Sequence, residues 1–225
     1  MKTYKLLGLL LSYPQPEWLR GIGEGREILR REGLLKGRPL TTVLALIDRL
    51  GDSDPYELQE DYVATFDRGR AHSLHLFEHI HGESRDRGQA MVNLAETYAQ
   101  KGLVIERAEL PDYLPLFLEF LSCCTAAEAA GLLAEPLEVI AAIGERLRQK
   151  ASPYAAVFDA LVALSKQRPQ RAWMSELLAA TPGEESLESL DREWEEAGAF
   201  ARPDAAGDCR DCTVRKDELR MKLTR

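Results

Sequence analysis

Leu110–Cys124 reads LPDYLPLFLEFLSCC, and from Leu114 onward only Glu119 and Ser122 interrupt a run of apolar residues and proline. A helix apolar on nearly every side belongs inside a protein, with other helices around it. Its start is legible. Asp112 has the residue type of an N-cap, whose carboxylate accepts backbone N–H groups two or three residues on. Pro115 then falls in the first turn, where its missing N–H costs nothing. About a dozen residues rising ~1.5 Å each give roughly 20 Å, which crosses a small domain but not a bilayer core of about 30 Å. The segment is read as the central core helix, with Asp112 and Tyr113 at its exposed mouth.

The rest of the chain supplies the helices to surround it. Met1–Ser12 forms a short apolar helix stopped by Pro14 and Pro16, and Pro16–Arg31 a second, despite Gly21, Gly23 and Gly25, with Gly33 closing it. Val43, Leu44, Ile47 and Leu50 mark a third, Leu40–Leu50, ended by Gly51. Asp54-Pro55 is an N-cap followed by proline at the first helical position, and the helix it opens carries Leu58, Tyr62, Val63 and Phe66. Ser84 can cap a helix to about Lys101, with Met91, Leu94, Ala95 and Tyr98 inward and Gly102 as its left-handed stop. Thr125 and Glu128 have capping-box spacing and open a helix to about Lys150, interrupted near Glu135-Pro136. Ser152-Pro153 starts another, and Pro169–Ala180 a last one bearing Trp173. No stretch alternates with period two, and no Asn-Gly or Asp-Gly turn joins two β-rich runs. The expected fold class is all-α, one helical bundle domain over residues 1–181. Residues 182–225 carry 12 acids and 8 bases with few aliphatics. Such a segment buries too little apolar surface to order itself, so it is expected to be a flexible tail.

Composition excludes several function classes. The 37 acids against 29 bases leave a net charge of −8, which argues against a nucleic-acid partner and for a cationic one. Leu6–Leu11 is short for a signal-peptide core and has no small-residue cleavage site after it, so a cytoplasmic protein that does not enter the membrane is expected. Four cysteines, in two close pairs, make no disulfide framework. Cys123 and Cys124 read as small core residues. Cys209 and Cys212 have CxxC spacing, which suits a redox pair or half a zinc site, though without a second pair.

His72, His75 and His79 are spaced so that on one helix they would share a face, with Glu78 beside them. That pattern can ligate zinc, and it defines one reading, a metal-dependent hydrolase using the His72–His81 cluster. There is no HExxH motif to support it, and the other reading is a polar, groove-lining stretch. Glu119, a lone acid in an apolar helix, is expected to pair with an arginine such as Arg85 or Arg87, or to face a polar groove. No phosphate loop, dinucleotide fingerprint or nucleophile elbow is present, and no cofactor is expected.

Three blocks together resemble a known family: Tyr62-Val-Ala-Thr-Phe-Asp67; His72-Ser-Leu-His-Leu-Phe-Glu-His-Ile-His-Gly-Glu-Ser-Arg-Asp-Arg-Gly88; and Glu109-Leu-Pro-Asp-Tyr-Leu-Pro-Leu-Phe-Leu-Glu-Phe-Leu121. They are similar to the NarJ chaperones, the so-called delta subunit of nitrate reductase, within the TorD/DmsD group of redox-enzyme maturation proteins. The resemblance implies a TorD-like all-helical fold and a non-catalytic role. The implied partner is the N-terminal, leader-like segment of the catalytic subunit of respiratory nitrate reductase. That subunit would be held in the cytoplasm while molybdenum cofactor and iron–sulfur centre are inserted, before membrane anchoring. Proteins that deliver the cofactor would be a second class of partner. The group's proline–x–aspartate–histidine mouth is matched by Pro111, Asp112 and Tyr113, with tyrosine in place of histidine. Leu74, Leu76, Phe77 and His79 match its aromatic loop by position. The implied peptide-binding residues are therefore Pro111, Asp112, Tyr113, Leu76, Phe77 and His79. Glu119 or Glu78 would join Asp112 as rim carboxylates for the peptide's cationic end.

Overall fold

The structure is a computed structural model that describes residues 1–68, 70–81, 85–105 and 109–180. Every regular element among them is helical, as expected. In chain order these are α1 (Lys2–Leu10), α2 (Pro16–Leu19), α3 (Gly25–Glu32), α4 (Gly37–Asp52), α5 (Pro55–Tyr62), α6 (Glu78–His81), α7 (Arg85–Gln100), α8 (Leu114–Cys123), α9 (Ala126–Ala134), α10 (Leu137–Gln149), α11 (Ala155–Ser165) and α12 (Arg171–Ala180). None is long and apolar enough to cross a membrane.

α8 is the core helix that its sequence predicts. Leu114, Leu118 and Leu121 are wholly buried, and Phe117 and Phe120 nearly so. α1 lies along it, and the two approach most closely at Gly8, where a Cβ would come within 3.0 Å of the Pro115 carbonyl oxygen. A second layer pairs α10 with α11, with α4 and α9 against α11 and α12 against α10. There Gly144 makes the close approach possible: a Cβ on it would meet the Phe158 Cβ at 2.8 Å.

The local stop and start signals hold where they act through neighbouring atoms. Asp54 accepts the Tyr56 and Glu57 N–H groups, and Thr125 and Glu128 form the reciprocal capping box. Gly33 and Gly102 take the left-handed conformation after α3 and α7. Three boundaries differ. Pro16–Arg31 is not one helix but two, joined by a tight turn at Ile22–Glu24; three glycines in five residues give no side-chain reason to continue the first. α4 runs through Gly51 to Asp52, because Leu46, Ile47 and Leu50 hold its last turns against the core. α8 begins at Leu114, and its N-cap position is Tyr113, so Asp112 does not cap it.

One expected pairing and one expected burial are also corrected. Glu119 is 54% exposed and bonds Lys5 of α1 at 2.8 Å, while Arg87 bonds Glu78 instead. Cys124 is buried as expected, but Cys123 is exposed, because the open edge of α8 runs through Glu119 and Cys123. The expected cap at Ser84, the Cys209/Cys212 pair and the tail from residue 182 lie outside the described residues.

Candidate functional site

The histidines do not lie on one helix: His72 and His75 fall in the stretch between α5 and α6, and His79 and His81 in α6. α5 passes into a wider turn at Val63–Asp67, a π-helical winding of the kind frequently found at functional sites. A short turn at Arg70–His72 follows, and Arg146 of α10 fastens it: its guanidinium donates to the Ala71 carbonyl at 2.9 Å and to the Leu177 carbonyl of α12 at 2.5 Å. Residues 73–77 then pass beside the turn that leads into α8, and from His75 on they turn into α6.

That contact is a miniature antiparallel ladder. His75 and Tyr113 form an isolated bridge. The Leu76 N–H donates to the Asp112 carbonyl at 3.1 Å, and the Leu114 N–H donates to the Leu74 carbonyl at 2.8 Å. The Asp112 side chain completes it. One carboxylate oxygen accepts the Phe77 N–H at 3.1 Å and the other faces His75 Nδ1 at 3.4 Å. Asp112 is 0% exposed, so the expectation of a carboxylate at an open rim is overturned. A buried carboxylate is tolerated only where both oxygens find donors, and here both do.

The surroundings lock this arrangement from three sides. The Tyr98 hydroxyl of α7 donates to the Pro111 carbonyl at 2.7 Å, and its ring packs on Phe120. Glu78 accepts from Ser73 Oγ at 2.5 Å and from Arg87 at 3.1 Å. His79 turns inward, donating from Nε2 to the Ser73 carbonyl at 2.9 Å. Burial pushes the His79 pKa down. His75 moves the other way: its hydrogen bond to Asp112 raises its pKa against the cost of burial. Tyr113 is half-buried; its ring lies 5.3 Å from that of His75, and its hydroxyl oxygen is 3.4 Å from that of Tyr62, which donates to the Leu11 carbonyl. Burial pushes the Tyr113 phenol up.

The structure thus brings Pro111, Asp112, Tyr113, Phe77 and His79 together. Leu74 and Leu76 are there too, but as core residues beneath the loop. Glu119 stands about two turns along α8, beside Lys5. The surface this leaves to a ligand is formed by half-buried Phe77 and Tyr113, by His75, 29% exposed, and by Leu110 and Ile80, 41% and 40% exposed. Leu110 lies in the mouth motif and Ile80 in the histidine-bearing block, but the sequence singles out neither as a binding residue. The shared histidine face required by the metal reading is not formed: His72, His75 and His79 belong to a turn, a bridge and a separate helix. Among the described residues no three His, Cys, Asp or Glu side chains are placed to hold a metal ion. A cavity of about 320 Å³ opens elsewhere, between α4, α5 and the α10–α11 corner, with Arg49, Asp61 and Tyr154 in its walls. Its walls hold none of the residues singled out as site candidates.

The chain is an all-helical bundle with one loop stitched to the mouth of its core helix and apolar residues around the stitch. The sequence model of the family described as nitrate reductase delta subunit matches residues 36–160, and the chain belongs to that family. It is 38% identical over 201 residues to the nitrate reductase molybdenum cofactor assembly chaperone NarJ of Escherichia coli (strain K12), covering 85% of this chain and 81% of that one. It is 36% identical to the probable assembly chaperone NarW of the same strain, over 87% of this chain and 82% of NarW. To the probable NarJ of Bacillus subtilis (strain 168) it is 32% identical, over 72% of this chain and 86% of the relative.

Proposed function

We propose that this protein is a cytoplasmic, non-catalytic assembly chaperone for the catalytic subunit of a respiratory nitrate reductase. It binds the N-terminal, leader-like segment of that subunit while the molybdenum cofactor and iron–sulfur centre are inserted, and releases it for membrane anchoring. The observation that carries this reading is the kinship with assembly chaperones over most of both chains. The mouth supports it physically. Phe77, Tyr113, Leu110 and Ile80 offer apolar surface to the apolar side of a peptide helix. The net charge of −8 favours the approach of a basic segment.

The test is calorimetric titration with the N-terminal peptide of the catalytic subunit and with a scrambled version of it. Binding of the first and not of the second is expected. Equal binding of both, or of neither, would sink the proposal.

A further inference from the structure

Asp112 lies at the centre of the family motif, and its position in the fold gives it a role other than touching the client. We propose that Asp112 is a positioning residue that builds the mouth by fastening loop 73–77 to the turn before α8, with His75 as the second half of the latch. This rests on the client-binding reading for what the mouth is used for. The latch itself rests on geometry. One carboxylate oxygen is taken by the Phe77 N–H and the other by His75 Nδ1, and the side chain is wholly buried, so it presents no surface to a peptide. The two backbone bonds of the ladder, Leu76 to Asp112 and Leu114 to Leu74, close only while the loop is held there. Phe77, the half-buried aromatic residue of the loop, is bonded to Asp112 through its own N–H.

The latch depends on pH through His75. The charged and titratable groups around that imidazole are Asp112 and Tyr113 from the turn before α8, Glu78 from α6, and Arg87 from α7. The Asp112 hydrogen bond raises the His75 pKa most, burial opposes it, Glu78 adds to the rise and Arg87 subtracts from it. A folded-state value above the unfolded value of about 6.5 means the latch is at full strength below about pH 6.5. It weakens as pH rises through the raised value. His79 has the opposite sign: it is held neutral by burial, so its contribution is present above about pH 6.5 and fades as pH falls.

The experiment is amide hydrogen exchange on the whole protein between about pH 6 and about pH 9, corrected for intrinsic exchange, alongside peptide titration over the same range. In the wild type the protection of Leu76, Phe77 and Leu114 is expected to fall roughly tenfold as pH rises, while that of Ile143 in the core of α10 holds. Peptide affinity should fall in parallel. His75→Asn keeps a neutral donor without a titrating ring, and should flatten both profiles at the weaker level. Asp112→Asn keeps the shape and one acceptor, and should do the same if it folds. Protection at Leu76 and Phe77 that is independent of pH, or a wild-type pH slope retained by His75→Asn, overturns the latch. A peptide that fails to bind wild type at every pH overturns the client reading instead, and the exchange data still decide whether Asp112 and His75 fasten the loop.

Discussion

From Leu114 to Cys123 the chain is held by its own helical hydrogen bonds and by apolar contact on most sides. From Leu110 to Tyr113, immediately before, it is held by single atoms of Phe77 and His75, 35 and 37 positions away, and by the hydroxyl of Tyr98. The helix is a matter of area, spread over Leu114, Phe117, Leu118, Phe120 and Leu121, so each residue contributes a share. The turn is a matter of specific donors and acceptors, and losing one leaves another stranded in a buried place. Stability and recognition should therefore separate: damage to α8 lowers the first, and damage to the turn lowers the second more than its energy alone suggests.

Substitution in the helix gives the largest effect on stability. Leu118→Ala removes a wholly buried side chain beside Gly8 of α1 and should cost about 2–5 kcal/mol in urea unfolding. Peptide affinity, measured where the variant is still folded, should stay within about twofold, because Leu118 does not reach the mouth. A loss of affinity matching the loss of stability would show that the two regions are one unit. Tyr98→Phe is smaller and works the other way. It keeps the ring on Phe120, deletes only the bond to the Pro111 carbonyl, and should cost about 1 kcal/mol in stability. Peptide affinity should fall several-fold, since Pro111 carries the turn that the loop is fastened to. The smallest effect belongs to Glu119→Gln. Its pair with Lys5 is exposed on both sides, which places the stability change below about 1 kcal/mol. If peptide affinity drops tenfold with it, the binding surface extends two turns down α8 and includes that carboxylate.

The same contrast explains what could be read in advance. The core helix was legible from Leu114–Cys123 alone, since a segment so apolar has only one stable place. The caps at Asp54 and Thr125 and the left-handed stops at Gly33 and Gly102 were legible because each acts on atoms within a few residues. Asp112 was misread for the same reason. An aspartate before a proline-containing helix start looks like a cap, and no local rule says that its partners are His75 and Phe77. The metal reading of the histidines fails because the spacing of His72, His75 and His79 implies a shared face only if the backbone between them is one helix, and the bridge from His75 to Tyr113 breaks it.

By itself, the sequence determined an all-helical protein, the identity of its central helix and most helix ends, which follow from hydrophobic period and short-range hydrogen bonding, while its three motif blocks carried the resemblance to the family. The tertiary structure alone decided that Asp112 is buried rather than at the rim, that His75 is its ring partner, and that Glu119 answers to Lys5. The physical reason is one of range: a hydrogen bond between residues 37 positions apart leaves no periodic trace in the chain, and it exists only once α8 and loop 73–77 have been brought side by side.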